Sequence, residues 1–134
     1  MITLNLLQLL ENNGFGTIDE DLFWEKLTLG EEGVYIASIG NPTTRGSRRI
    51  QTFELYSRAN SDVAGCRKLR DIVDFLNSSY SICSLPQVVD KDQPSEILSE
   101  KIDNITIMPC SSITDGGLDS NGRIIWTATG TILY

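Results

Sequence analysis

The sequence contains no histidine, which removes the side chain that most often serves as a general base or a metal ligand. Serine–histidine and cysteine–histidine nucleophile pairs are excluded with it. The phosphate-loop, zinc-protease and serine-hydrolase patterns GxxxxGK(S/T), HExxH and GxSxG are also absent. These absences favour a binding or structural protein over an enzyme, with no catalytic residues, no metal and no cofactor.

Cysteine is scarce. Cys66, Cys83 and Cys110 are widely spaced and odd in number, and no CxxC pair is present. This pattern does not predict a disulfide framework or a metal cluster. We expect Cys66 to be a small core residue, and the chain to fold in a reducing, cytoplasmic compartment.

Long apolar runs are missing as well. The N-terminal run is far shorter than the ~20 residues of a membrane span. It has no basic region before it and no small-residue cleavage site after it, so it does not predict a signal peptide. The net charge of −7 argues against general affinity for nucleic acid or for an anionic membrane.

The charge is unevenly placed along the chain. Between Arg45 and Arg70 it is +5, so the remainder carries −12. The seven basic residues of that stretch are Arg45, Arg48, Arg49, Arg58, Arg67, Lys68 and Arg70. One interpretation is a solvated surface that varies by chance. The other is a subunit with a positive and a negative side, suited to head-to-tail packing against copies of itself.

The clearest pattern is a strand followed by a helix, from Arg48 to Ser79. Gln51, Phe53, Leu55 and Ser57 alternate with the residues between them, as on one face of a strand. After a predicted N-cap at Asn60 or Ser61, apolar residues recur every three or four positions. The predicted apolar stripe of this helix comprises Val63, Cys66, Leu69, Ile72, Val73 and Leu76.

Further elements are predicted on both sides of this unit. The first helix is expected over Ile2 to Asn13 and ends at Gly14. Leu22 to Trp24 is either a short strand or a segment packed over that helix. A strand at Val34 to Ile39 is followed by a long basic loop at 40–47.

The C-terminal half is predicted to contain extended segments joined by loops. We expect a short strand or an extended edge segment within 80–89, interrupted by Pro86. It is followed by an acidic loop, a strand at 103–108 and a turn-rich stretch at 109–123. The last strand runs from Ile124 to Tyr134, with Gly130 as a candidate bulge. In the turn before it, Asn121 or Gly122 is expected to adopt positive φ.

The order helix, hairpin, helix, hairpin predicts an α+β fold over a single domain of residues 1–134. Its sheet is antiparallel or mixed, has about four to five strands, and is covered on one face by two helices. Acidic pairs such as Asp19–Asp21 and Glu31–Glu32 leave a small enzyme open as an alternative.

Taken in order, these residues resemble the tail terminator proteins of long-tailed bacteriophages, a group also described as minor capsid or tail-completion proteins. In that family a strand of the type vQv..R enters a helix of the type A...a..i.d.L, and a D..GR turn precedes the last strand. The matching residues are Gln51, Phe53 or Leu55, Arg58, Ala64, Ile72, Leu76, Asp119, Gly122 and Arg123. The N-terminal helix ending in the stretch 13–17 also matches, whereas 17–33 departs from the family pattern.

The resemblance implies a virion protein assembled in the host cytoplasm. Its subunits would form a homo-oligomeric ring, usually hexameric, at the head-proximal end of the tail tube. The ring would stop tube polymerisation, meet the tube protein on one face and the head–tail connector on the other, and enclose the DNA path without reading its sequence. No membrane is involved. The expected subunit or inter-ring contacts are Arg45, Arg48, Arg49, Arg67 and Arg70. The alternative is another connector or tail-adaptor protein of the virion.

Overall fold

The computed structural model of the chain describes residues 2–25, 32–78 and 82–134. Two helices and ten strands lie within these ranges. In chain order the elements are α1 (Ile2–Asn12), β1 (Leu22–Trp24), β2 (Gly33–Arg45), β3 (Arg48–Arg58), α2 (Asp62–Asn77), β4 (Ser84–Leu85), β5 (Val88–Val89), β6 (Ile97–Ser99), β7 (Ile102–Asp103), β8 (Thr106–Met108), β9 (Thr114–Leu118) and β10 (Ile124–Leu133).

Six strands form the main sheet in the order β1–β2–β3–β10–β8, and β9 also pairs with β10. β1 runs parallel to β2, whereas every other pair in this sheet is antiparallel. β8 and β9 share the outer edge of β10, so the sheet is five strand positions wide. The α+β class and the mixed sheet predicted from the sequence are confirmed.

Both helices cover the same face of this sheet. Ile36, Leu55 and Ala128 are direct partners across β2, β3 and β10, so their side chains share a face. All three are buried in one cluster with Leu7 of α1 and Ile72 of α2. α1 packs against β1 and β2, and α2 packs against β3 and β10.

α2 starts as the sequence predicts, because the Ser61 side chain accepts a hydrogen bond of 3.2 Å from the Ala64 N–H. Its buried stripe comprises Gly65, Leu69, Ile72, Val73 and Leu76. The prediction that Val63 belongs to this stripe is wrong, since that side chain is 67% exposed. Cys66, also predicted in the core, is half-buried. The helix approaches β10 through Gly65 instead, where an added Cβ would lie 3.3 Å from the Trp126 side chain.

α1 is buried on more sides than an amphipathic helix requires, because the segment 84–103 packs over its outer side. The amide of Asn5 donates to the backbone oxygens of Pro86 and Glu100, each at 2.9 Å. β4 pairs with β7 and β5 pairs with β6 in two small ribbons of this segment. The strand predicted within 80–89 thus consists of β4 and β5, while residues 79–81 lie outside the described ranges.

The predicted loop at 40–47 is wrong. β2 continues to Arg45, and the connection to β3 is the two-residue turn Gly46–Ser47. Gly46 has a φ of +64°, which the first central position of a type II′ hairpin turn requires. The register shifts between Ile39 and Thr43, so two extra residues on β2 are accommodated there. Gly, Pro and Thr in this stretch mark that irregularity and not an open loop.

Gly130 is not the predicted bulge, because β10 keeps an unbroken register with β3 through this residue. A Cβ there would meet the ring of Phe53, so glycine leaves room for that ring. The register of β10 shifts instead in its pairing with β9, between Ile124 and Trp126, where the extra residue lies on β9. The predicted positive φ at Gly122 is confirmed, with a value of +76°.

Candidate interaction surfaces

The β2–β3 hairpin carries a basic arm, which we define as residues 40–49. Every side chain of the arm except that of Arg48 is exposed. Arg45 and Arg48 are cross-strand partners at its end. Like charges at such positions repel, and here the Arg48 guanidinium turns away. It donates to the backbone oxygens of Asn104 at 2.7 Å and Leu133 at 3.2 Å.

Of the three arginines predicted in this region, two present their charge to solvent. Arg45 lies next to the turn, and the Arg49 guanidinium lies 5.9 Å from the ring centroid of Tyr134. The Arg49 N–H also donates to the Tyr134 carbonyl at 2.6 Å. Arg48 therefore fastens the arm to the end of the sheet, while Arg45 and Arg49 remain available for a partner.

Arg67 and Arg70 lie elsewhere. Both are exposed on α2 beside a shallow groove of about 330 Å³ formed with Val63, Cys66 and Trp126. Trp126 and Leu133 are seven strand residues apart, which is roughly 23 Å at about 3.3 Å per residue. The predicted contact residues thus form two groups near opposite ends of β10, and not one continuous patch.

A buried ionic network holds the turn between β9 and β10 against the sheet. The guanidinium of Arg58, which is 2% exposed, lies 3.8 Å from an oxygen of Asp119, whose side chain is 1% exposed. Arg123 Nε lies 3.0 Å from the same oxygen. The backbone N–H of Arg123, together with that of Asn121 and the Arg123 guanidinium, lowers the pKa of Asp119.

The same network continues to the neighbouring strand. Arg58 donates to the Tyr35 hydroxyl at 3.3 Å, and Arg123 reaches Glu32 at 3.2 Å. Arg58, Asp119 and Arg123 are three of the residues that carry the family resemblance. Sequence reasoning did not recognise that they interact, because they are up to 65 positions apart and only the tertiary fold brings them together.

A second groove, of about 360 Å³, lies beside β1 on the α1 side of the molecule. We call it the acidic groove. Its apolar lining comprises Leu4, Ile18, Trp24, Val88, Val89 and Leu98. Asp19, Asp90, Lys91 and Asp92 also line it. No sequence pattern indicates this groove, since its residues come from positions 4 to 98.

Lys91 does not offset the acidic charge of this groove, because it is already paired. Its ammonium group lies 2.9 Å from Glu11 at the end of α1. Burial alone raises the pKa of Glu11, but hydrogen bonds from the Ile18 N–H and from Lys91 outweigh that effect and lower it. The three aspartates therefore determine the charge that the groove presents.

Within the described ranges, no group of three or more cysteine or acidic side chains is arranged to hold a metal ion. Cys66, Cys83 and Cys110 are free thiols. Of the acidic pairs considered from the sequence, Glu31 lies outside the described ranges, and Asp21 binds the Thr17 N–H at 2.6 Å. The described helices are all too short or too polar to cross a membrane.

Comparison with known proteins adds no assignment: no family model matches the chain, and no curated protein matches it significantly.

Proposed function

We propose that this chain is a structural subunit of the virion of a long-tailed bacteriophage. Its subunits form a ring, hexameric by analogy, that caps the head-proximal end of the tail tube. The ring stops tube polymerisation and provides the interface for head–tail joining. Its partners are further copies of itself, the tail tube protein and the head–tail connector, while DNA passes through the ring without sequence-specific binding.

The observation that carries this proposal is the basic arm. The two strands of the arm are hydrogen-bonded up to the turn. Residues 39–47, which include most of the arm, are nevertheless all exposed, so their side chains add nothing to the core. A paired segment that does not serve packing is a candidate contact for a partner. Arg45 and Arg49 give this contact a positive charge, suited to an acidic surface on an adjacent ring.

The buried network of Arg58, Asp119 and Arg123 supports the same proposal, because it gives a physical reason for the residues of the resemblance. Its guanidinium and carboxylate groups neutralise one another under a turn. Such a network fixes the geometry of a hairpin and leaves no free group for catalysis.

The test is attachment of the purified chain to tail tubes that lack a cap. We expect Arg45→Glu to weaken attachment by about 10-fold or more, because the arm would then repel an acidic partner. Lys101→Glu is the matched control, since Lys101 is 60% exposed and its ion pair with Asp103 is also at the surface. Circular dichroism should show both variants folded.

Electron microscopy of the capped tubes distinguishes the tail terminator from other connector proteins. Density for this chain as a ring directly on the tube end is the expected result. Density only on the head side of another component would support the adaptor alternative. Failure of the wild-type chain to bind uncapped tubes at any concentration would contradict the tail-terminator proposal.

A further inference from the structure

We propose that the acidic groove and an apolar patch at the start of α2 are the two halves of one head-to-tail contact between copies of this chain. The proposal deepens the proposed function and rests on it, because it names the surfaces that would join neighbouring subunits of the ring.

The patch has two strongly exposed apolar side chains at its centre. Val63 is 67% exposed and Leu118 is 65% exposed, the highest values among the large apolar residues of the described ranges. Leu118 pairs with Ile124, and the Ile124 N–H donates to the side chain of Asp62, the residue before Val63. The two side chains therefore lie at the same corner of the fold.

Arginines flank this apolar centre. Arg67 and Arg70 follow Val63 by four and seven positions, so they lie on the same side of α2. Trp126 completes the patch, and its indole N–H donates to the Asp62 carbonyl at 2.9 Å. Tryptophan and arginine around an apolar centre are the residue types that contribute most at protein interfaces. We call this surface, formed by Val63, Cys66, Arg67, Arg70, Leu118 and Trp126, the arginine patch.

The acidic groove offers the matching chemistry. Its lining is apolar at Leu4, Trp24 and Leu98, and Leu98 is 44% exposed. Its three aspartates carry the charge opposite to that of Arg67 and Arg70, and Lys91 is held by Glu11. Of the charged residues that line the groove, three are aspartates and one is a lysine.

The two surfaces also lie at opposite sides of the molecule. The groove adjoins β1 at one edge of the sheet, and the patch adjoins β9 and β10 near the other. Two identical patches or two identical grooves would bring like charges together, which disfavours a symmetric dimer. A contact between different surfaces is head-to-tail, and such a contact closes into a ring when its rotation permits.

A charge-swap experiment tests this contact. The first variant carries Arg67→Glu and Arg70→Glu, and the second carries Asp90→Lys and Asp92→Lys. In either variant alone, like charges would face each other at every contact. Sedimentation of the free chain and of chain bound to tail tubes should show self-association weakened by about 10-fold or more. Lys101→Glu, at an exposed position that lines neither the acidic groove nor the arginine patch, should self-associate like the wild type.

Mixing the two variants in equal amounts should restore assembly. Alternating subunits then place glutamates against lysines at one contact and arginines against aspartates at the next. The contact is refuted if both variants assemble like the wild type, if the mixture stays dissociated, or if the wild type is monomeric both free and on tubes. Charge-dependent assembly without tube binding would refute the proposed function alone, whereas tube binding insensitive to the charge swap would refute the contact alone.

Discussion

Substituting Gly130 with alanine should destabilise the fold, because the added methyl group would overlap the ring of Phe53. A Cβ at this position would lie 3.0 Å from Cε1 and Cε2 of the ring and closer still to Cζ. Carbon atoms normally rest about 3.5–4.0 Å apart, so the nearest ring atom, Cζ, would have to move by roughly 1–1.5 Å. Phe53 is completely buried, which leaves it no open space to move into.

The size of the effect follows from two opposing contributions. Overpacking a buried site costs about 1–3 kcal/mol. Replacing glycine by alanine within a strand recovers about 0.5–1 kcal/mol, since the unfolded chain has less freedom to lose. Gly130 is not among the glycines with positive φ, so alanine can adopt its backbone conformation. Because the overlap with the ring is large, the overpacking cost lies in the upper part of its range, about 2–3 kcal/mol. The expected net loss is therefore about 1–2.5 kcal/mol, or roughly 3–10 °C in Tm for a chain of this length.

Urea denaturation followed by circular dichroism measures this loss, and a second substitution tests its cause. Phe53→Leu alone should also destabilise the fold, because it removes buried ring atoms. In the double variant the methyl group added at position 130 would occupy part of the vacated space. The two substitutions should therefore couple favourably by at least about 0.5–1 kcal/mol. Additive effects, or a Gly130→Ala variant as stable as the wild type, would refute this account of Gly130.

Two further predictions concern titratable groups. Because the folded-state pKa of Asp119 is lowered, its carboxylate stabilises the fold above about pH 4, and this contribution is lost as the pH falls through the folded-state pKa. Asp119→Asn should thus lower the urea midpoint strongly at pH 7 and less at pH 3. The control Asp71→Asn, at an exposed position of α2, should leave the midpoint unchanged at both pH values. Equal effects of Asp119→Asn at the two pH values would contradict the network. Cys83 is exposed, whereas burial raises the pKa of the Cys110 thiol to about 11. A thiol reagent at pH 8 should therefore label Cys83 at least about 10-fold faster than Cys110. Mass spectrometry of the Cys83→Ser and Cys110→Ser variants measures the two rates separately. Faster labelling of Cys110 would contradict its burial.

Local patterns were sufficient to predict much of the fold. The alternation of Gln51, Phe53, Leu55 and Ser57 predicted that they share one face of a strand, and that face of β3 is the buried one. The spacing of Leu69, Ile72 and Leu76 likewise predicted the buried stripe in the later turns of α2. Each of these predictions concerns a single helix or strand that packs one face against the core. The spacing of apolar residues along the sequence identifies such a face directly.

Features that depend on distant parts of the chain were not predicted. Leu118 and Val63 lie together only because β9 pairs with β10 beside the start of α2. The burial of Arg58 depends on Asp119, 61 positions later, and the acidic groove needs segments from three regions of the chain. The basic arm was wrongly predicted to be a loop for a different reason. Its pairing continues past an irregularity at 40–42, where glycine and proline normally indicate a loop.

The pairing within the arm also bears on how fast a partner could be captured. Ordering a flexible backbone costs about 1–2 kcal/mol per residue, and a segment that must fold on contact often binds slowly or weakly. The ladder from Thr43 to Arg45, together with the anchoring of Arg48 to Asn104 and Leu133, removes that cost before any encounter. Docking through this arm would then be governed by the rate of collision and by salt concentration, and each collision in the right orientation would find a surface already in its bound shape.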